Sequence, residues 1–124
     1  MKKLTTKWFY KWSKKAKLTH ENLLDAVENL ENGLGCSDLG SYLFKVRVKR
    51  EHSGKSSGFR TIIIYSEGEK AIFVYGFGKN ERENITTKEL QYFKTLANDL
   101  IYLDNKKVEE LVEEKILFDL EMKE

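Results

Sequence analysis

The sequence predicts an α+β domain: an antiparallel sheet with two N-terminal helices and C-terminal helices packed on one face, the other face left available. Three observations predict it. Residues 43–50 and 58–65 form two strand-like runs joined by a small polar loop, and a third run follows at 71–77 after the turn Ser66-Glu67-Gly68-Glu69-Lys70. Segments with helical periodicity precede and follow these runs, each with its own start signal. The short links between the strands argue for a meander.

Residues 7–17 read as the first helix. Trp8, Phe9, Trp12 and Ala16 fall near one stripe, while Lys7, Lys11, Lys14 and Lys15 fill other faces. The stripe fits a core face, the alternative being a stacking platform for bases. Thr19 can cap a second helix, with Leu18 stapled onto Leu23, an apolar face of Leu23, Leu24, Val27 and Leu30, and Gly33 as the stop. Residues 33–40 look irregular. Strands are expected at 42–49, 59–65 and 71–77. In the last, Phe73, Tyr75 and Phe77 alternate with Ile72 and Val74, so it should be central and buried on both faces. Thr86-Thr87-Lys88-Glu89 is a capping box, with Ile85 positioned to staple onto Leu90. It opens a third helix with the stripe Leu90, Phe93, Ala97 and Leu100. Asp104 can cap a final acidic helix over 105–115. The expected organisation is a single domain over 1–124, with 104–124 as an acidic helical extension. A short strand before the first helix fits the pattern too.

Lys45, Arg47 and Lys49 alternate with Phe44, Val46 and Val48. A strand repeats every two residues, so one face should carry the cations while the other meets a core. Between positions 45 and 60 six basic residues (Lys45, Arg47, Lys49, Arg50, Lys55, Arg60) face a single acid, Glu51. A cationic ridge on a rigid sheet suits a phosphodiester ligand, and an ordinary solvated sheet face is the alternative. Residues 1–60 hold 13 Lys/Arg against 6 Asp/Glu, and the remainder holds 9 against 14. A basic front and an acidic back fit a protein that meets nucleic acid on one side, although helices with differently charged solvent faces would produce the same asymmetry.

Other chemistries find little support. A lone cysteine, Cys36, cannot close an internal disulfide, which points to a reducing cytoplasm. Met1-Lys2-Lys3 is followed by no apolar run, so neither a signal peptide nor a membrane span is expected. His20 reads as a surface histidine. Gly54-Lys55-Ser56 ends like a phosphate-binding loop, but the leading glycine position holds Lys49 and a strand follows. Gly76-Phe77-Gly78 lacks the third glycine of a dinucleotide fingerprint, Glu81 standing there. No metal site and no cofactor are expected, so an enzyme built from this chain works with Lys and Arg.

The stretch over 73–85, placed after a Gly-Phe-Arg-Thr-Ile-Ile strand and a Lys-x-Arg strand, carries a resemblance. With Thr6-Lys7-Trp8-Phe9, Lys45-Val46-Arg47-Val48, the Gly54–Thr61 loop and Lys79-Asn80-Glu81-Arg82, it resembles the RelE branch of the RelE/ParE superfamily, in particular the phage-associated RelE-type group. These are toxins of type II toxin–antitoxin pairs. The resemblance covers nearly the whole chain and implies a metal-independent endoribonuclease that cleaves mRNA on the ribosome. It also implies neutralisation by a cognate antitoxin, with operator DNA met only through the antitoxin complex. Such cleavage needs a proton taken from the ribose 2′-hydroxyl, charge stabilised on the phosphorane and a proton given to the departing 5′-oxygen. A lysine crowded by cations can act as base, and arginine's fixed fork of donors fits phosphate oxygens. By position, Lys45 and Arg47 match the first catalytic strand, Arg60 the second, and Lys79 and Arg82 the segment closing the sheet edge, so the resemblance implies all five as catalytic residues. Lys49, Arg50 and Lys55 would bind RNA. Relatives also use a tyrosine near the carboxyl terminus; here Tyr92 and Tyr102 fall in helical patterns and no equivalent is assigned. Glu81 and Glu83 are expected to pair with Lys79 or Arg82. Relatives in the ParE branch inhibit gyrase without cleaving RNA, so a non-catalytic toxin, or an inactive nucleic-acid-binding relative, stands as the alternative.

Overall fold

The computed structural model describes residues 1–49 and 58–122. In chain order the elements are β1 (Lys2–Thr6), α1 (Lys7–Lys15), α2 (His20–Glu31), β2 (Cys36–Gly40), β3 (Leu43–Val48), β4 (Phe59–Ser66), β5 (Lys70–Gly78), α3 (Thr87–Leu100), α4 (Asn105–Glu113) and β6 (Leu117–Asp119). The α+β class stands. The six strands form one sheet in the order β2-β3-β4-β5-β1-β6. The sheet is mixed, not antiparallel throughout, because β1 runs parallel to β5, from Lys2↔Lys70 to Thr5↔Phe73.

Each helix begins where a side chain can satisfy its unpaired amides. Thr6 accepts from the Phe9 amide and Asp104 from the Lys107 amide. Thr19 with Asn22, and Thr86 with Glu89, form reciprocal capping boxes. Leu18 and Leu23 meet in one buried cluster, as a staple requires. Gly33 ends α2 at φ 69°, a conformation that favours glycine.

Helices cover both faces of the sheet, which corrects the expectation of one covered face. α1 and α2 bury Phe9, Leu23, Val27 and Leu30 against Val46, Val48, Ile63 and Phe73. On the opposite face α3 and α4 bury Phe93, Ala97, Ile101 and Val108 against Leu43, Ile62, Ile64 and Ile72. The uninterrupted run Ile62-Ile63-Ile64 carries this arrangement, since consecutive strand residues point to opposite sides. Residues 33–40, expected as irregular, include β2, an edge strand paired antiparallel to β3. Residues 104–124, expected as a helical extension, hold α4 and then β6, which pairs with β1.

A bulge between β4 and β5 sets the second half of the sheet. Ile62 pairs with Tyr75 but Ile63 pairs with Phe73, so Val74 is the extra residue. Val74 and Tyr75 therefore both pack toward α3. Beyond them the alternation is inverted: Gly76 faces α1, and Phe77 joins the α3 face. The expected grouping of Phe73, Tyr75 and Phe77 on one face fails for this reason. Gly76 has its own requirement, because a Cβ there would overlap the six-membered ring of Trp12. Trp12 is half-buried and packs edge-on to Phe59 at 5.5 Å between ring centroids.

Lys70, at the opposite end of β5, is buried and donates to the carbonyls of Leu100, Ile101 and Leu103. Its ammonium meets the negative end of α3 and ties that helix to the sheet. Burial pushes its pKa below the usual lysine value, with Glu69 and Asp104 opposing the shift.

Gly76→Ala should destabilise the protein by about 1–3 kcal/mol, because the rigid indole has to leave its seat on β5. Urea unfolding of the two proteins measures this, and equal midpoints would contradict the packing of Trp12.

Candidate functional site

On the α3 side of the sheet, cross-strand pairing arranges side chains in rows. Leu43↔Ile64↔Ile72 form an apolar row beneath α3 and α4. Lys45↔Ile62↔Tyr75 form the next, and Arg47↔Arg60↔Phe77 the one after. Paired residues share a face, so Lys45, Arg47 and Arg60 converge as the alternation of β3 predicts. Burial falls along the series. Leu43 is buried, Lys45 half-buried, and Arg47 and Lys49 exposed. The helices cover the apolar end of this face, and the cations lie at the open end.

Arg47 and Arg60 stand directly opposite each other, an arrangement that like charges disfavour. Partial burial first, then the charge of Arg47, lowers the pKa of Arg60 from its ordinary value. Among the described residues, none of Lys45, Arg47 and Arg60 forms an ion pair with a carboxylate. A bound anion would relieve the repulsion that the sheet enforces. Lys49 lies one residue past β3. The exposed Lys79 follows β5, its amide donating to the Gly58 carbonyl at 3.0 Å, which extends the ladder by one step. Arg50 and Lys55 lie outside the described residues.

Arg82 has a different environment. Its Nη2 donates to Oε1 of Glu89 at 2.5 Å, and its Nη1 to Oε2 at 3.2 Å. Nη1 also donates to the Tyr75 hydroxyl at 3.2 Å, and Nε to the Asn84 carbonyl at 3.0 Å. The guanidinium lies 5.4 Å from the centre of the Phe77 ring. Its carboxylate partner is Glu89, not the expected Glu81 or Glu83. Glu89 thus closes the capping box of α3 and holds Arg82, and these bonds keep its carboxyl at about 2. The Glu89 contacts correspondingly raise the pKa of Arg82.

The sequence reading preferred a core role for the Trp8 stripe over a stacking platform and did not bring Tyr75 and Phe77 to the cationic face. Tyr75 and Phe77 reach the cationic face only through the bulge. Trp8, read as part of the core stripe, is 49% exposed and stacks on Tyr75, while Phe9 beside it is fully buried. Tyr102 lies against Tyr42 at the far end of β3, away from the arginine pair, and Tyr92 is exposed on α3. Among the described residues, no group of three or more His, Cys, Asp or Glu side chains could hold a metal ion. No helix among them is long and apolar enough to cross a membrane.

Residues 1–120 match the family described as the RelE toxin of the RelE/RelB toxin–antitoxin system. No curated protein matches the sequence.

The Glu89 carboxyl, ordinarily near 4.5 and held here at about 2, stabilises the fold when ionised. Its contribution is complete above about 4.5 and is lost as pH falls toward 2. Glu89→Gln should therefore lower the urea midpoint at pH 6, with the gap to the parent protein narrowing between pH 4.5 and 2. A gap constant across that range would contradict the Arg82–Glu89 contact.

Proposed function

Because the chain belongs to the RelE toxin family, the toxin half of a toxin–antitoxin pair with a cognate antitoxin as its partner, we propose that it is an endoribonuclease that cleaves mRNA by attack of the ribose 2′-hydroxyl. The observation that carries this reading is the Arg47–Arg60 pair, two fork-shaped cations on one rigid face with no carboxylate partner among the described residues. A surface that only binds another protein has no need of that repulsion.

Arg47 and Arg60 hold the non-bridging oxygens of the scissile phosphate and stabilise the charge that grows on the phosphorane. Lys45, one row deeper and half-buried, is in this reading the group that exchanges protons with the ribose hydroxyl or the leaving oxygen. The 2′-oxygen bonds to phosphorus, the bond to the 5′-oxygen breaks, and the products are a 2′,3′-cyclic phosphate and a 5′-hydroxyl. Lys49 and Lys79 draw in the flanking phosphates, and Arg50 and Lys55 would do the same. Arg82 is a positioning residue, since its donors are committed to Glu89, Tyr75 and Asn84. The protein acts in the cytoplasm on translated mRNA at the ribosome, and it meets operator DNA through the antitoxin complex.

Arg60→Ala should lower cleavage by roughly 100- to 1000-fold, the effect of removing one rigid donor aimed at transition-state charge. Lys49→Ala should weaken action modestly and in a salt-dependent way. Primer extension on mRNA from cells expressing each variant without antitoxin measures both, with circular dichroism to confirm folding. A folded, fully active Arg60→Ala protein would place the chemistry elsewhere. Replication arrest with intact transcripts would favour the gyrase-inhibiting alternative.

A further inference from the structure

We propose that the exposed indole of Trp8 is the platform on which a base of the single-stranded RNA flanking the scissile phosphate stacks, an inference that rests on the cleavage reading. Trp8 is the second residue of α1, at the point where β1 ends and the edge of β5 is left open. Its ring is held in place by other aromatics. Tyr75 stacks on it at 4.8 Å with 24° between the planes, and Trp12 lies nearly parallel at 6.2 Å and 8°. The ring is thus oriented before any ligand arrives, yet the residue remains 49% exposed.

The platform is continuous with the cationic face. Tyr75 accepts from Arg82, Arg82 lies over Phe77, and Phe77 is the cross-strand partner of Arg60. Arg60 is on β4 and Trp8 lies past the outer edge of β5. The two are therefore about two strand spacings, roughly 10 Å, apart across the sheet. A single RNA strand crossing β4 and β5 can therefore set a phosphate at Arg60 and a base of a nearby nucleotide at Trp8.

The surrounding charge selects the ligand. α1 reads Lys-Trp-Phe-Tyr-Lys-Trp-Ser-Lys-Lys and carries no acid. Trp8, Lys11, Trp12 and Lys15 share one helical stripe, and Lys7, Lys11 and Lys15 are exposed. Aromatic rings interleaved with lysines beside a phosphate-binding face form the combination that holds single-stranded nucleic acid, the ring taking a base and the cations the backbone. An unpaired base is required, because a duplex would keep its bases stacked on each other.

The test uses the parent protein, Trp8→Ala and Trp8→Phe in a translating extract, together with binding of an uncleavable 2′-O-methyl oligonucleotide at low salt. A stacked base contributes about 1–3 kcal/mol, or roughly 5- to 150-fold in affinity. Trp8→Ala should weaken binding within that range and raise the concentration needed for half-maximal cleavage, while Trp8→Phe stays close to the parent. One abasic position in the oligonucleotide should produce the same loss with the parent protein and no further loss with Trp8→Ala. The abasic series on the parent protein decides the matter even if Trp8→Ala folds poorly. Normal RNA binding and cleavage by a folded Trp8→Ala protein would overturn the inference, as would a loss confined to antitoxin affinity. Failure of the parent protein to cleave mRNA would overturn the cleavage reading, and this one with it.

Discussion

The contents of the cationic face depend on the register of β4 against its two neighbours. Against β3 the pairing runs without a break from Leu43↔Ile64 to Val48↔Phe59. A slip of one residue would turn Val46 and Val48 out of the core and Arg47 into it. Burying each valine contributes about 1.5–3 kcal/mol, whereas the opposed arginines cost on the order of 0.2–1 kcal/mol. Packing wins, and the repulsion between Arg47 and Arg60 is held in the folded state. Against β5 the single extra residue Val74 inverts the alternation, bringing Tyr75 and Phe77 beside those arginines and Gly76 beneath Trp12.

The helices then determine what remains open. α3 and α4 cover Leu43, Ile64 and Ile72 and stop short of the Arg47 row. The position of α3 relative to that row is fixed from both ends. Glu89 joins its first turn to Arg82, and Lys70 joins its last carbonyls to the sheet. The contacts that limit the cationic corner are thus mostly polar and lie at helix ends, while the apolar clusters supply the rigidity that keeps like charges close.

Much of this was legible in the sequence because it is written in local patterns. The alternation Lys45-Val46-Arg47-Val48 marks the cationic face, and Thr19, Thr86 and Asp104 mark helix starts to the residue. The two covered faces were also signalled, by Ile62-Ile63-Ile64, but the single-face arrangement overlooked it. Other features depend on partners distant in the chain. β2 has the exposed sequence Cys36-Ser37-Asp38-Leu39-Gly40 and becomes a strand only through its bonds to β3. β6 has three residues, too few for a period to show. The bulge at Val74 has no glycine or proline to announce it. The engagement of Arg82 and the exposure of Trp8 follow from where α3 and β5 come to lie, which spacing along the chain does not reveal.

In the proposed reading Arg47 and Arg60 form one phosphate site while Arg82 serves the scaffold. Arginine side-chain NMR during titration with an uncleavable 2′-O-methyl oligonucleotide tests it most directly. The Nε–Hε signals of Arg47 and Arg60 should move along a single binding curve that weakens with salt, while Arg82 keeps the signature of its bond to Glu89. RNA-induced shifts centred on Arg82, with Arg47 and Arg60 unmoved, would contradict it.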